Sequence, residues 1–273
     1  MLRLLQIELI KIWNSKSSRI LIIAYFGSLA FLALFATVKI DFGAFVFHLA
    51  KQGIFDFPFV WHFNTYMAAF FKLFFAIVVV SMVANEYSNK TLKQNLIDGL
   101  SKKEFVYSKF LTIVLFSAIS TLVVFLVSLV LGLIYSKYDE ILIIFSQLEY
   151  LLAYFVKLVG FFTMCLFFSV LTRKSAFSLG FLALWYVIEQ FLAIFSQRYE
   201  SLGIIKRILP LEAMSNLIKQ PFTRMNGIKE FANETGINIP YDFSVQISDI
   251  LIVCCWTILF VLMSYKIIKN RDL

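Results

Sequence analysis

The chain has 273 residues, of which 60% are hydrophobic and only 15% charged, and its formal net charge is +8. A soluble domain carries about a quarter charged residues and must cover its surface with polar groups, so this composition excludes an ordinary soluble enzyme, a disordered chain and a disulfide scaffold. What remains is an integral membrane protein with several spans, in which the excess of cations marks cytoplasmic loops and anionic head groups, not nucleic acid.

Residues 1–17 read as an amphipathic helix lying in the cytoplasmic interface. At 100° per residue, Leu2, Leu5, Leu9, Ile12 and Trp13 share one face, and Arg3, Glu8, Lys11, Asn14 and Ser15 gather on the other. No cleavable signal peptide is expected, because charges interrupt the first apolar stretch and no cleavage site follows it. Six segments then reach the roughly 20 residues that a helix needs to cross a bilayer. They lie near Ile20–Val38, Phe63–Ala84, Phe105–Tyr135, Leu148–Leu171, Ala176–Phe195 and Gln246–Tyr265. None alternates apolar and polar residues as a barrel strand would, and a lipid-exposed backbone must satisfy its own hydrogen bonds, so all six are predicted to be helices. His48 and His62 are placed in the first outer loop, too far apart in sequence to suggest a metal site.

Between the second and third of these spans, residues 85–104 carry a helix of their own. Ser88 or Asn89 is expected to cap its start, and Leu92, Leu96, Ile97 and Leu100 form an apolar stripe at helical spacing. Gly99 stands where a helix stops in a left-handed turn, and Ser101-Lys102-Lys103-Glu104 is a capping box that opens the third span. A plain hairpin between two spans needs only a few residues. A short helix clamped at both ends is therefore expected to meet a partner surface.

Three charges fall inside spans: Lys72 in the second, Lys157 in the fourth and Glu189 in the fifth. At 1.5 Å per residue all three lie roughly 10–14 Å below the outer boundary. Such residues are costly in hydrocarbon and are usually paired or turned to water. Glu189 is expected to pair with Lys72 or Lys157, leaving the other cation to line an outward cavity or meet an anionic lipid or substrate; the alternative is that each Lys snorkels separately to the head groups. Residues 197–245 form a long outer loop, punctuated by Pro210, Pro221 and Pro240, whose middle is too apolar for a free linker. The Asn233-Glu234-Thr235 sequon within it carries little weight. Cys165, Cys254 and Cys255 all lie in apolar runs and give neither a disulfide framework nor a metal spacing.

Sidedness follows from the cations. They gather in the N-terminal piece (Arg3, Lys11, Lys16, Arg19), the segment after the second span (Lys90, Lys93, Lys102, Lys103, Lys109), the turn after the fourth (Arg173, Lys174) and the tail (Lys266, Lys269, Arg271). The short loops on the other side hold only Lys39, Lys51 and Lys137. Both termini are thus expected in the cytoplasm, with the chain a multi-pass protein of the cell membrane.

The segment from Glu86 through Lys90-Thr91-Leu92 to Asp98-Gly99-Leu100-Ser101-Lys102, followed by Phe105 and Lys109, resembles the pattern of the type-2 ABC transporter permeases, and among them the small bacitracin and lantibiotic resistance subgroup. The match in motif covers about twenty residues, and the match in architecture most of the chain. Lys102 stands where Arg is commoner, and Gly99-Leu100 where a Pro or Gly is usual. The resemblance implies an all-α polytopic fold, one permease domain over residues 1–273, with six transmembrane helices, an N-terminal interfacial helix, a cytoplasmic coupling helix and outer re-entrant helices before the last span. It implies that Glu86, Lys90, Thr91, Leu92, Leu96, Gly99, Ser101 and Lys102 dock a separate ATP-binding cassette subunit. ATP and magnesium would belong to that subunit, with no cofactor bound by this chain and a second permease chain, identical or paralogous, completing the complex.

The chain has no G-x-x-x-x-G-K-[ST] phosphate loop, so it is not expected to hydrolyse ATP by itself. Neither a Gly-x-Ser-x-Gly elbow nor paired intramembrane carboxylates for a proton relay are found, which disfavours an enzyme. The leading expectation is an exporter permease driven by a partner ATPase. The alternatives are a self-sufficient secondary carrier, which should show an internal repeat or interrupted spans, and a membrane scaffold that transports nothing.

Overall fold

The computed structural model describes residues 2–35, 39–41, 46–48, 53–138, 140–198, 203–225 and 242–271. The chain opens with α1 (Leu2–Asn14) and, after a break at Ser15, α2 (Lys16–Phe35). A two-stranded antiparallel ribbon follows, β1 (Lys39–Asp41) on β2 (Val46–His48), with Ile40 opposite Phe47. Everything else of regular structure is helical. α3 (Phe59–Ala68) continues through a 3₁₀ turn at Ala69–Phe71 into α4 (Lys72–Ser88), and the short α5 (Thr91–Ile97) leads to α6 (Lys102–Tyr135). Then come α7 (Ile141–Ile144), α8 (Glu149–Thr172), α9 (Ser175–Arg198), α10 (Gly203–Ile208), α11 (Pro210–Asn216), a 3₁₀ turn at Phe222–Arg224 and α12 (Ile247–Lys269).

Among the described residues, five helical stretches are long and apolar enough to cross a membrane: Phe59–Ser88, Lys102–Tyr135, Ile141–Thr172, Ser175–Ser196 and Ile247–Lys269. The expected first span coincides with the 20-residue α2, but its end at 36–38 lies outside the described residues. The third span runs for 34 residues, longer than a bilayer needs. The long segment before α12 holds short helices α10 and α11, and its sequon lies outside the described residues.

α8 is the hub, with α12, α4, α6 and α9 packed around it. Most of its side chains are buried within the bundle, as a helix with neighbours on nearly every side requires. Gly160 permits a close approach to this hub: a Cβ there would meet Val253 Cγ1 at 2.8 Å and Met214 Cε at 3.1 Å, so α12 and α11 come down onto bare backbone. α9 is the opposite case, with Phe177, Phe181, Leu184, Phe191 and Ile194 all exposed.

Two placements differ from expectation. His62 belongs to a helix, because α3 begins at Phe59 and not at Phe63. The imidazole is fully buried and stacks on Tyr150 at 4.3 Å. Lys219 O lies 2.8 Å from Nε2 and Arg224 Nη1 lies 3.2 Å from Nδ1. Because the guanidinium can only donate, Nδ1 accepts and Nε2 carries the proton, and the ring ties the outer loop to the bundle. α1 also sits differently. Glu8, assigned to its polar face, is buried together with Ile12, whereas Ile10 and Trp13 are exposed. Glu8 turns inward because a buried cation awaits it there.

Candidate functional site

Two charged places stand out, at opposite depths of the bundle. The first surrounds α5. After α4 the chain turns through Lys90, which adopts a left-handed φ of 55° and stands as the residue before α5. The cap therefore falls one or two residues beyond the expected Ser88 or Asn89. At the other end, Gly99 has φ +98°, a conformation that costs glycine least. Its N–H donates to Leu96 O at 3.2 Å, and Leu100 N donates to Asn95 O at 2.9 Å, the two bonds of a Schellman stop. The capping box follows directly. Glu104 N donates to Ser101 Oγ at 3.1 Å, and Ser101 N donates to the Glu104 carboxylate at 2.9 Å.

This clamp decides which side of α5 is free. Leu92 is buried, and Leu96 and Leu100 are partly buried against the same core. Ile97 points away and is 76% exposed, flanked by exposed Lys93, Gln94 and Asp98. The apolar stripe is thus split, three residues holding the helix down and one presented outward. Lys102 is also used inward: its ammonium donates to Lys269 O at 3.1 Å and Arg271 O at 2.8 Å, where the carbonyls at the end of α12 need donors. Arg271 in turn donates to Val170 O at 2.6 Å and Leu171 O at 3.0 Å, serving the end of α8. Of the residues assigned to docking, Lys90, Gly99 and Ser101 remain exposed, whereas Glu86 and Leu92 are buried and Thr91, Leu96 and Lys102 are half-buried.

Glu86 belongs to a cluster beneath α5. Lys109, fully buried on α6, bonds to both Glu8 of α1 and Glu86 of α4. Lys11 reaches the same two carboxylates at 3.3 and 3.1 Å. Two cations and two anions are thereby gathered from three helices. Burial alone would push the Lys11 ammonium down, but Glu8 and Glu86 outweigh it and hold its pKa above the usual 10.5. Glu8 escaped sequence reasoning because a charge on an amphipathic helix looks like a solvent-facing residue. The spacing Glu8–Lys11 was its only local signal.

The second place is a cavity of about 840 Å³ walled by α3, α4, α8, α9 and α11. Lys72, Lys157 and Glu189 all line it, so the structure brings together the three charges singled out within the spans. The expected pairing is corrected, however. The Glu189 carboxylate accepts from Trp185 Nε1 at 2.5 Å, Leu211 N at 3.1 Å and Glu212 N at 2.9 Å. The reason is local. α11 begins Leu209-Pro210 with no side chain of its own to cap it, and Glu189 of α9 supplies the acceptor that its first N–H groups require. Lys72 places its ammonium over the Phe161 ring at 4.4 Å. Lys157 is only 5% exposed and, among the described residues, has no hydrogen bond or ion pair. Among those residues no group of His, Cys, Asp and Glu could hold a metal ion.

No curated protein matches this sequence. A family profile does match it, over residues 18–273, which is nearly the whole chain. The chain therefore belongs to the family described as protein of unknown function, DUF2705.

Proposed function

We propose that the chain is the membrane-spanning permease subunit of an ATP-binding cassette exporter, driven by a separate ATPase subunit that docks on α5. In this reading α2 is the first of six spans, both termini are cytoplasmic, α1 lies in the inner interface and the protein sits in the cell membrane. The observation that carries it is the clamp on α5. A seven-residue helix is too short to persist alone. Here it is stopped at Gly99, re-capped at Ser101 and pinned by Leu92, so that force applied to Lys93 and Ile97 passes into α4 and α6 without being absorbed by a loose loop. The charge cluster extends the same coupling to α1. Six spans line too small a pathway alone, so two permease chains would share the complex, and ATP and magnesium would be held by the motor subunits.

The test is a search of the neighbouring genes for an ATP-binding cassette subunit, followed by co-expression of the full chain with that subunit and affinity purification. The complex is expected to co-purify, and Ile97→Asp is expected to lower its yield about tenfold, as loss of a central apolar anchor does. Leu92 is unsuitable for this purpose, since a carboxylate at a buried position would unfold the helix. Undiminished complex formation by Ile97→Asp with Lys93→Glu, or no complex with the unaltered chain, would sink the docking role and return the carrier and scaffold readings.

A further inference from the structure

The cavity between α4, α8 and α9 has a charge problem that the described residues do not solve. Lys157 is nine-tenths buried, lines the cavity and, among those residues, has no hydrogen bond or ion pair. Lys72 lines the same space with only the Phe161 ring beneath it. The two carboxylates nearby are already engaged: Glu189 with the start of α11 and the Trp185 indole, Glu212 with Lys206 at 3.3 Å. An ammonium group buried without a counter-ion is unfavourable, and natural interiors pair such groups or present them to a ligand. The rest of the wall is apolar. Phe70, Leu73, Tyr186 and Val187, from the facing helices α4 and α9 and the turn before α4, line the cavity while remaining exposed, and so frame a mouth on the outer surface of the bundle. The volume is that of a site for a sizeable organic molecule, well beyond what a bare anion fills.

We infer that this cavity binds a phosphate-bearing amphiphile, its phosphate between Lys72 and Lys157 and its hydrocarbon chain along the apolar mouth. A phosphate offers several oxygens and more than one negative charge, so it can bridge two ammonium groups where a single carboxylate of the protein does not reach. The side opening lets the chain remain in lipid while the head group is held. The site is complete within this one polypeptide and does not rest on the docking of a motor subunit.

The test uses the purified full-length chain in neutral detergent and radiolabelled dodecyl phosphate as probe. Saturable binding is expected, displaced by unlabelled dodecyl phosphate but not by dodecyltrimethylammonium or by inorganic phosphate at equal concentration. Lys157→Gln should weaken binding about tenfold, the loss typical of one charge-assisted bond, and Lys157→Arg should retain it. Ala183→Trp, at an exposed position on the wall, should block access without touching either cation. It keeps the inference open to refutation if a lysine variant misfolds. Unchanged binding by both Lys157→Gln and Ala183→Trp would overturn the site. Equal displacement by the cationic amphiphile would overturn the charge recognition, and equal displacement by inorganic phosphate would overturn the lipid-like tail.

Discussion

Lys109 and Lys157 are the same residue type, each on a long helix and each buried, yet their surroundings are opposite. Lys109 bonds to two carboxylates from two other helices, and a second lysine completes the balance at the edge. Among the described residues Lys157 has no such company. The difference teaches how to read buried charge in this fold. Where every charge is answered, the group ties helices together and its role is structural. Where one is left unanswered among the described residues, beside a cavity, the group is destabilising and open to a counter-ion from outside the chain.

Substitution by methionine, which keeps length and removes charge, should separate the two with opposite signs. Lys109→Met leaves two buried carboxylates sharing only the half-exposed Lys11 and should cost about 3–5 kcal/mol in thermal unfolding of the detergent-purified chain. Adding Glu8→Gln and Glu86→Gln should recover much of the loss, since the excess negative charge is then gone. Lys157→Met should instead stabilise the ligand-free chain by about 2–3 kcal/mol, the penalty of an uncompensated cation in an apolar interior. A destabilised Lys157→Met chain would place both lysines in one class and dissolve the contrast.

Smaller effects sharpen it. Gly99→Ala forces a Cβ into a left-handed turn with open space around it, so the strain is conformational, not steric. It should loosen α5 by about 1 kcal/mol, seen as faster amide exchange over residues 91–97 with the spans unaffected. The smallest effect belongs to Lys11. Its folded pKa lies above the unfolded 10.5, so its share of the tether is fully present below pH 10.5 and fades as pH rises through the higher folded value. Release of α1, followed by exchange in residues 2–14, should therefore begin only in alkaline solution, and Lys11→Met should show the same release at neutral pH.

The C-terminal half of the clamp on α5 was legible residue by residue, whereas its start was not, since Lys90 and neither Ser88 nor Asn89 precedes the helix. Gly99 needs a positive φ and Ser101–Glu104 forms a reciprocal pair within four residues, so neighbours in sequence decide the outcome. The face of α5 was not legible. Leu92, Leu96 and Ile97 look alike as a pattern, and only the position of the core says that Ile97 is turned away. The partner of Glu189 was hidden for a similar reason, because the uncapped start of α11 lies more than twenty residues further along the chain and competes for the carboxylate better than either lysine.

Composition and period alone determined that the chain is helical and apolar enough to span a membrane, because hydrophobic run length and local capping are properties of adjacent residues. Which buried charges are answered depended on tertiary structure, since Glu8, Glu86 and Lys109 meet from three helices and Lys157 meets no opposite charge among the described residues. A charge in a low-dielectric interior is governed by what lies within a few ångströms of it, and that distance is set by packing, not by position along the chain.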